Sequence, residues 1–308
     1  MTRNENGYII MDDFQEINSN TAKKGRKEKV WLEKDGERFL FKTGASFYEI
    51  WAELIACELG KQCKLNMAEY DLAIYKNKIG IISRNFLKPG ERIYSGEHIL
   101  AYAERISFDN NEKEHYYNSI ESIIQALAIT KQFSANDFSV LDDFIKLWAF
   151  DGLIMESDRN STNWAIIQND NITKLAPIYD CSTMARMNND VTHLYNNLRN
   201  DSDLDAMLNN IKYQMTFTDN DKNDDFLTQF RNFCSQYERL STQIIDNFSY
   251  IDIDKAIKNI ENRINKDLVD NEVEIPWQVG AWLEKAINHR LADMINIYND
   301  EKRRKNRL

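Results

Sequence analysis

The spacing of apolar residues changes near residue 97, and this change limits what the chain can fold into. Before it, residues 28–42 and 69–86 contain runs in which apolar and polar residues alternate, as in strands with one buried face. Beyond it, apolar residues recur at helical spacing. The 308 residues include only three prolines and ten glycines, so few breakers interrupt these stretches and long helices are expected. The sequence therefore predicts the α+β class, with strands in front and helices behind.

The front of the chain is predicted to contain two β-hairpins with one helix between them. The first hairpin turns at Asp35-Gly36, because a tight turn needs positive φ and glycine tolerates it. The second hairpin is predicted to turn at Asn77-Lys78. Apolar residues at helical spacing mark the helix, and Gly60 is predicted to end it. These apolar positions are Phe47, Ile50, Trp51, Leu54, Ile55 and Leu59.

Beyond residue 97 the pattern is helical except for one short hairpin. Helices are predicted over residues 118–131 and 137–155, each of which carries an apolar stripe. Two brief apolar runs, residues 164–167 and 174–178, then flank three polar residues and favour a small hairpin. The tail returns to helical spacing.

This order of elements predicts a two-lobed molecule. Residues 1–86 would form a small lobe with an antiparallel sheet and one helix, and residues 87–308 a larger helical lobe. Because ligands favour the interface between two lobes, the cleft is the expected place for a functional site.

Composition argues against several classes of protein. The formal net charge of −10 does not suit direct nucleic-acid binding, which requires a basic surface. No apolar run approaches the roughly 18 residues of a membrane span, and the first residues lack the pattern of a secretory signal. Four cysteines without a C-x-x-C pair are typical of reduced thiols. We therefore expect a cytoplasmic protein with no membrane partner.

Residues 158–163 have the spacing of a phosphoryl-transfer loop. In the pattern D-x-x-x-x-N, Asp158 can lie beside an attacking hydroxyl while Asn163 turns back to a metal ion. What distinguishes this stretch is its context, since an apolar helix precedes it and an apolar strand leading to Tyr179-Asp180 follows it. A polar turn with local side-chain bonds is the alternative. Two other stretches match the same spacing, Asp13/Asn18 and Asp205/Asn210.

Lys42, at the end of the first hairpin, is a candidate for holding nucleotide phosphates. A lysine there is also typical of an exposed edge residue. The functional interpretation depends on the helix that follows, where Glu49 and Glu53 lie one turn apart and either could pair with Lys42. Such a buried pair would serve orientation rather than net stability.

Residues 19–29 concentrate positive charge in an otherwise acidic chain. The stretch has no G-x-G-x-x-G pattern, and Gly25 is its only glycine. It is either a phosphate-covering loop that uses backbone N–H groups and one or two cations, or a solvated turn. The cations are Lys23, Lys24, Arg26, Lys27 and Lys29.

Taken together, these segments resemble the HipA-like kinases. In that family a D-R-H-x-x-N loop precedes L-A-P-x-Y-D, and here residues 158–163 precede Leu175–Ser182, which read L-A-P-I-Y-D-C-S. Residues 49–60 are similar to the family's helix after the strand lysine, and Ile82–Phe86 resembles its interlobe hinge. The resemblance covers about residues 20–182.

The resemblance implies a bilobal, protein-kinase-like fold that uses ATP and Mg²⁺ to phosphorylate serine or threonine. It makes Asp158 the catalytic base, and Asn163 and Asp180 the metal ligands. Lys42 would contact the ATP phosphates. Glu49 would orient Lys42, because the family's spacing selects it over the second glutamate of the helix.

The same resemblance gives the nucleotide its other contacts. Ser83, Asn85 and Phe86 of the hinge would hold the adenine. The family often phosphorylates a serine of its own phosphate loop, and the hydroxyls available here are Ser19 and Thr21.

Two positions near the catalytic aspartate depart from the family's pattern. Glu156 stands where the family usually has Asn, and Asn160 where it usually has His. A carboxylate at position 156 is expected to repel the triphosphate or alter metal preference.

The family also implies partners. A protein substrate, such as a translation component, and an antitoxin are expected. Because compact members include secreted effectors, delivery into a host cell is the alternative to a cytoplasmic location.

Two other functions remain open from the residues themselves. One is a pseudokinase or ATP-binding interaction module, with Glu156 as the disabling feature. The other is a small-molecule phosphotransferase, which would use the same loop and distal aspartate.

Overall fold

A computed structural model places a six-stranded sheet in the front of the chain and mainly helices behind it. This arrangement confirms the predicted α+β class. The structure describes residues 1–17, 28–109, 115–130, 139–169, 172–198, 200–263 and 275–307.

The front sheet contains both predicted hairpins. Its order is β1-β5-β6-β4-β3-β2; β1 and β5 are parallel and the other neighbours antiparallel. Asp35 and Gly36 form the first turn with φ values of 53° and 78°, as predicted. The strands are β1 (Ile9–Ile10), β2 (Gln15–Ile17), β3 (Lys29–Lys34), β4 (Glu37–Lys42), β5 (Tyr70–Tyr75) and β6 (Lys78–Arg84).

The second hairpin turns one residue earlier than predicted. Tyr75 pairs with Lys78, so the two-residue loop is Lys76-Asn77 and not Asn77-Lys78. Both loop residues have positive φ, 50° and 60°, as this kind of turn requires. The strand register decides the position, because a slip of one residue would turn every side chain of β6 to the other face.

The predicted helix between the hairpins is α1 (Phe47–Gln62). Gly60 does not end it, which corrects the prediction; the helix continues to Gln62, and Lys64 leaves it with a φ of 60°. Gly60 lies instead against Met67, where a Cβ would overlap the methionine side chain. The glycine is therefore explained by close packing rather than by chain reversal.

The rest of the chain is helical around one small sheet. α3 and α4 correspond to the helices predicted over residues 118–131 and 137–155. The described helices here are α2 (Gly96–Asp109), α3 (Ile120–Ile129), α4 (Ser139–Ile154), α5 (Val191–Asn197), α6 (Asp201–Asn209), α7 (Phe226–Gln236), α8 (Glu238–Phe248), α9 (Ile253–Glu261) and α10 (Trp277–Lys305).

The predicted short hairpin is present and gains a third strand. β8 (Ala165–Gln168) pairs with β9 (Thr173–Leu175), as the two apolar runs indicated. β7 (Arg92–Ser95) lies just beyond the predicted lobe boundary at residue 86 and pairs with the other edge of β8.

Aromatic packing fixes α4 in the core. The Trp148 ring lies 5.0–6.4 Å from four phenylalanine rings, measured between centroids. One turn later, Gly152 lets the Phe226 ring of α7 approach so closely that a Cβ would overlap it. α4 is thus held on a packed face just before the chain enters the 158–163 loop. The four rings are Phe217, Phe226, Phe230 and Phe233.

Within the described part of the chain, no helix combines the length and the apolar character that crossing a membrane would require.

Candidate active site

Residues from both parts of the chain line one cavity of about 550 Å³, within the range of small-molecule sites. Lys42 and Asp180, which are 138 positions apart in sequence, meet on its wall. Apolar groups including Leu40 and Ala68 line another part of it. The predicted site residues that line it are Lys42, Ser83, Asn85, Phe86, Asn163 and Asp180.

Lys42 lies between two carboxylates and is only 6% exposed. Its Nζ donates to Oε1 of Glu53 on α1 and, over 3.0 Å, to Oδ1 of Asp180. Burial alone would lower the pKa of Lys42, but the charges of Glu53 and Asp180 outweigh burial and hold that pKa well above its usual value. Lys42 is therefore a fixed positive charge on the cavity wall.

The partner of Lys42 is Glu53, and the prediction of Glu49 is wrong on this point. Glu53 is 2% exposed, on the face of α1 that packs inward. Glu49 lies one turn earlier, where its carboxylate accepts the Ala45 N–H over 2.8 Å, just before the helix begins. Glu53 Oε2 also accepts the Cys181 N–H over 3.2 Å, so one carboxylate joins Lys42 to the segment after Asp180.

Asp180 follows β9 by five residues and has a left-handed backbone, with φ of 59°. Its Oδ2 lies 3.4 Å from Nζ of Lys29 on β3. Burial opposes ionisation of Asp180, but Lys42 and Lys29 lower its pKa far below the usual range. The carboxylate on the cavity wall is therefore ionised.

The 158–163 loop is held by its own amide. Asn163 Nδ2 donates to the Asp158 carbonyl over 2.7 Å. Its Oδ1 accepts the Thr162 hydroxyl over 3.4 Å and keeps a second acceptor position for a ligand. The Asp158 carboxylate is exposed and accepts from Asn160 Nδ2 over 3.1 Å. Asp158 is not among the cavity-lining residues, but Asn163 ties it to the wall.

Arg159 is the organising residue that the sequence reasoning missed. It is 1% exposed and forms a two-bond pair with Asp151 of α4, at 2.9 and 3.0 Å. Its Nη1 donates to the carbonyls of Asn163, over 2.7 Å, and Tyr179. One guanidinium therefore joins α4, the 158–163 loop and the segment that carries Asp180. Asp151 was the available signal, because an acidic residue inside an apolar helix needs a buried partner.

Glu156 does not face the cavity. It is 0% exposed, and its Oε1 accepts the Asp158 N–H over 2.7 Å. Because it is not among the cavity-lining residues, its carboxylate is not directed at a nucleotide there, contrary to the expected repulsion.

Asn163 and Asp180 suit a divalent metal ion. Both line the same cavity, where they offer an amide oxygen and an ionised carboxylate. Mg²⁺ is commonly held by one or two protein oxygens together with phosphate oxygens and water. The predicted phosphate loop with Ser19 and Thr21 lies outside the described residues.

The chain also matches known proteins and a known family. A family model described as "HipA-like C-terminal domain" matches residues 21–267. The serine/threonine-protein kinase CtkA of Helicobacter pylori (strain J99) is 26% identical over 190 residues. That match spans 59% of this chain and 55% of CtkA, or about half the length of the relative.

Two solved structures share the fold. The proinflammatory kinase CtkA of Helicobacter pylori matches with a TM-score of 0.69 at 19% identity, covering 96% of this chain and 98% of that one. HipA of Shewanella oneidensis MR-1, solved with HipB and operator DNA, matches with a TM-score of 0.54 at 14% identity, covering 89% and 66%. The predicted kinase-like fold is thereby confirmed.

Proposed function

The chain belongs to the HipA-like C-terminal domain family, and on that premise we propose that it is an ATP- and Mg²⁺-dependent serine/threonine protein kinase. One observation carries the proposal. Lys42, Asn163 and Asp180 line a single cavity, and the Ser83–Phe86 segment lines the same cavity. Phosphoryl transfer needs this set, because it depends on placing charge around the phosphates.

The base of the nucleotide would bind along the end of β6. The backbone N–H of Asn85 is not available to the base, since it donates to the Arg38 carbonyl of β4 over 2.8 Å. The Phe86 N–H has no hydrogen-bond partner among the residues that the structure describes. Backbone groups alternate along a strand, so the Arg84 carbonyl and the Phe86 N–H are expected to face away from β4. An acceptor and a donor two residues apart suit the amino and ring-nitrogen edge of adenine.

The phosphates would bind at the lysine end. Lys42 is fixed by Glu53, and Lys29 stands directly opposite Lys42 in the β3–β4 register, with its side chain partly exposed. We include Lys29 in the proposed phosphate site because both lysines already hold one anion, the Asp180 carboxylate. Asn163 and Asp180 would hold Mg²⁺, which neutralises charge on the phosphates when bound.

Asp158 would accept the proton of the attacking hydroxyl. Its carboxylate is exposed, so a side chain of a protein substrate can reach it. Arg159 fixes the loop by donating to the Asn163 carbonyl, and the Asn163 side chain fixes it by donating to the Asp158 carbonyl. These two bonds keep the Asp158 carboxylate beside the cavity.

The partners we propose are a protein substrate and an antitoxin. CtkA is a serine/threonine-protein kinase, which supports a protein substrate. HipA of Shewanella oneidensis was solved in complex with HipB, which supports an antitoxin partner. Co-expression with the product of a neighbouring reading frame, followed by co-purification, would test the second proposal.

The test of the function is transfer of labelled phosphate from ATP, with Mg²⁺ present or chelated, to the protein itself and to proteins of a cell lysate. Asp158→Asn should lower transfer at least about 100-fold, because the proton acceptor is lost. Asp205→Asn is the matched control, since Asp205 has the same D-x-x-x-x-N spacing but lies on α6 beside His289, and it should stay active.

Three results of this transfer experiment would contradict the proposed function or the role of Asp158. Nucleotide binding without transfer would indicate a pseudokinase. Phosphate found on a metabolite and not on protein would indicate a small-molecule phosphotransferase. Full activity of Asp158→Asn would remove Asp158 from the base role.

A further inference from the structure

The two segments that carry the proposed catalytic residues also meet away from the cavity wall, at Glu156 and Thr183. Glu156 comes two residues before Asp158, and Thr183 comes three residues after Asp180. Glu156 Oε1 accepts the Asp158 N–H over 2.7 Å, and its Oε2 accepts the Thr183 N–H over 3.0 Å. The Thr183 hydroxyl also donates to Oε1. One buried carboxylate thus bonds the backbone of both segments.

This contact requires a carboxyl group, because both of its oxygens can accept. Both oxygens of Glu156 accept from backbone N–H groups, so an amide in the same place would turn its NH₂ group toward one of those donors. A buried N–H left without an acceptor is costly, so the segment would shift. Thr183 adds a further link, because its Oγ1 accepts the Ser157 N–H over 3.3 Å.

Charged and polar groups surround the buried carboxyl group of Glu156. Arg159 supplies a positive charge and Asp151 of α4 a negative one, and the Cys181 thiol and the Tyr213 hydroxyl also interact with its charge. Burial raises the pKa of Glu156 to about 7, although Arg159 opposes the shift.

Close to both Glu156 and Thr183, the backbone adopts left-handed conformations that residues with a Cβ disfavour. Met155 has a φ of 56° just before Glu156, and Ala185 a φ of 47° two residues after Thr183. The Trp282 Nε1–H holds the second strained point by donating to the Ala185 carbonyl over 2.8 Å. Such conformations persist only where surrounding contacts fix them. The Glu156–Thr183 contact joins the segment that contains Met155 to the segment that contains Ala185.

We propose that the Glu156–Thr183 contact sets the position of Asp158 relative to Asp180, and that both residues are positioning residues for phosphoryl transfer. The inference rests on the proposed kinase function. Neither residue lines the cavity, so the contact acts on the geometry of the reacting groups and not on nucleotide binding.

The test compares Glu156→Gln, Thr183→Val and Thr183→Ser in the full chain. Glu156→Gln and Thr183→Val should lower kcat about 10- to 100-fold, as misplacement near 1 Å does. The KM for ATP and the Kd of a fluorescent ATP analogue should change less than about twofold. Thr183→Ser keeps the hydroxyl and should restore most of kcat. Thr228→Val is the matched control. It removes a hydroxyl of α7 that donates over 3.1 Å to Asp225, the residue before that helix, and its kcat should be unchanged.

The outcomes separate this inference from the proposed function. A wild-type chain without transfer would overturn the kinase function. An active wild type whose Glu156→Gln and Thr183→Val variants keep full kcat would overturn only the positioning role. Loss of ATP-analogue binding in parallel with kcat, or a Thr183→Ser variant as slow as Thr183→Val, would also overturn it.

Discussion

Lys29 and Lys42 place two like charges directly opposite each other in an antiparallel strand pair. Like charges at such positions repel, so a sheet that keeps them needs an anion between them. Here Asp180 is that anion, at 3.0 Å from Lys42 and 3.4 Å from Lys29. A bound phosphate group would meet the same two cations, which is the physical basis for assigning Lys29 to the phosphate site.

Replacing Lys29 tests this assignment. Lys29→Met should raise the Kd of ATP about 10-fold, since the loss of one charged hydrogen bond costs about 1.5 kcal/mol. The Kd of adenosine should change less than about twofold, because adenosine has no phosphate. Equilibrium titration of both ligands is the measurement.

Lys34→Met provides the control on the same strand. Lys34 pairs with Asp13 and does not line the cavity, so both Kd values should stay as in the wild type. Equal weakening of ATP and adenosine by Lys29→Met would contradict a phosphate role, because it would indicate damage to the whole cavity.

At the residue scale, the sequence pointed to candidate reacting groups but not to the groups that hold them in place. Asp158 and Asn163 could be found because they are close in sequence and have a fixed spacing. Asp151 inside an apolar helix indicates a buried cationic partner, but the contacts of Arg159 with Asn163 and Tyr179 depend on how separate segments pack. Glu156 departs from the family's pattern, and its carboxyl group accepts from two backbone N–H groups and does not line the cavity.

At the scale of elements, α4 determines where the 158–163 loop starts. The helix is held by aromatic contacts around Trp148 and by the close approach of Phe226 to Gly152. A helix interior favours Ala over Gly by about 1 kcal/mol, so this glycine is explained by packing and not by propensity.

Gly152→Ala should therefore destabilise the protein by about 1–3 kcal/mol, the usual cost of overpacking. Adding Phe226→Leu should recover part of the loss, because the smaller side chain makes room, and the two changes should be strongly non-additive. Urea unfolding of the single and double variants measures both effects.

Gly280→Ala is the control for helix propensity. Gly280 lies in α10, where a Cβ would meet only the flexible end of Ile257 at 3.2 Å. That change should be neutral or slightly stabilising. If Gly152→Ala were equally neutral, the Gly152–Phe226 contact would not be the constraint described here.

Across the whole molecule, buried charges join the sheet to the helical part. Lys42 of β4 donates to Asp180, and Glu53 of α1 accepts from the Cys181 N–H. Arg159 links the neighbouring loop to α4 through its pair with Asp151. Because these charges are buried, their protonation is coupled to global stability.

The raised pKa of Glu156 predicts the direction in which the free energy of unfolding changes with pH. Its pKa is about 7 in the folded chain, against an ordinary value of 4.5. Between these values the folded state keeps a proton that the unfolded state has released, so this contribution to stability is present at low pH and lost as pH rises through about 7. From pH 5 to pH 8 the wild type should lose about 2–3 kcal/mol relative to Glu156→Gln, which cannot ionise.

The measurement is the free energy of unfolding of both proteins by urea at pH 5, 6, 7 and 8. Other titrating groups contribute to both curves, so the difference between them isolates Glu156. Two parallel curves would contradict a raised pKa at this position.

The sequence by itself determined the α+β class, the order of the two front hairpins with the helix between them, and the loop with Asp158 and Asn163, but it did not predict β1, β2 or β7. These follow from local patterns, because the period of apolar residues reports which face of a segment is buried and a fixed spacing reports a loop. Even so, local pattern misplaced the second hairpin turn by one residue and the end of α1 at Gly60.

Only the tertiary structure decided which residues meet. It chose Glu53 over Glu49 for Lys42, brought Lys29 to Asp180, buried Arg159 and turned Glu156 toward Thr183. Each of these contacts depends on how distant segments pack, and on the cost of leaving a buried charge without a partner. A local pattern in the sequence carries neither of these, so the contacts that position the site became visible only in the fold.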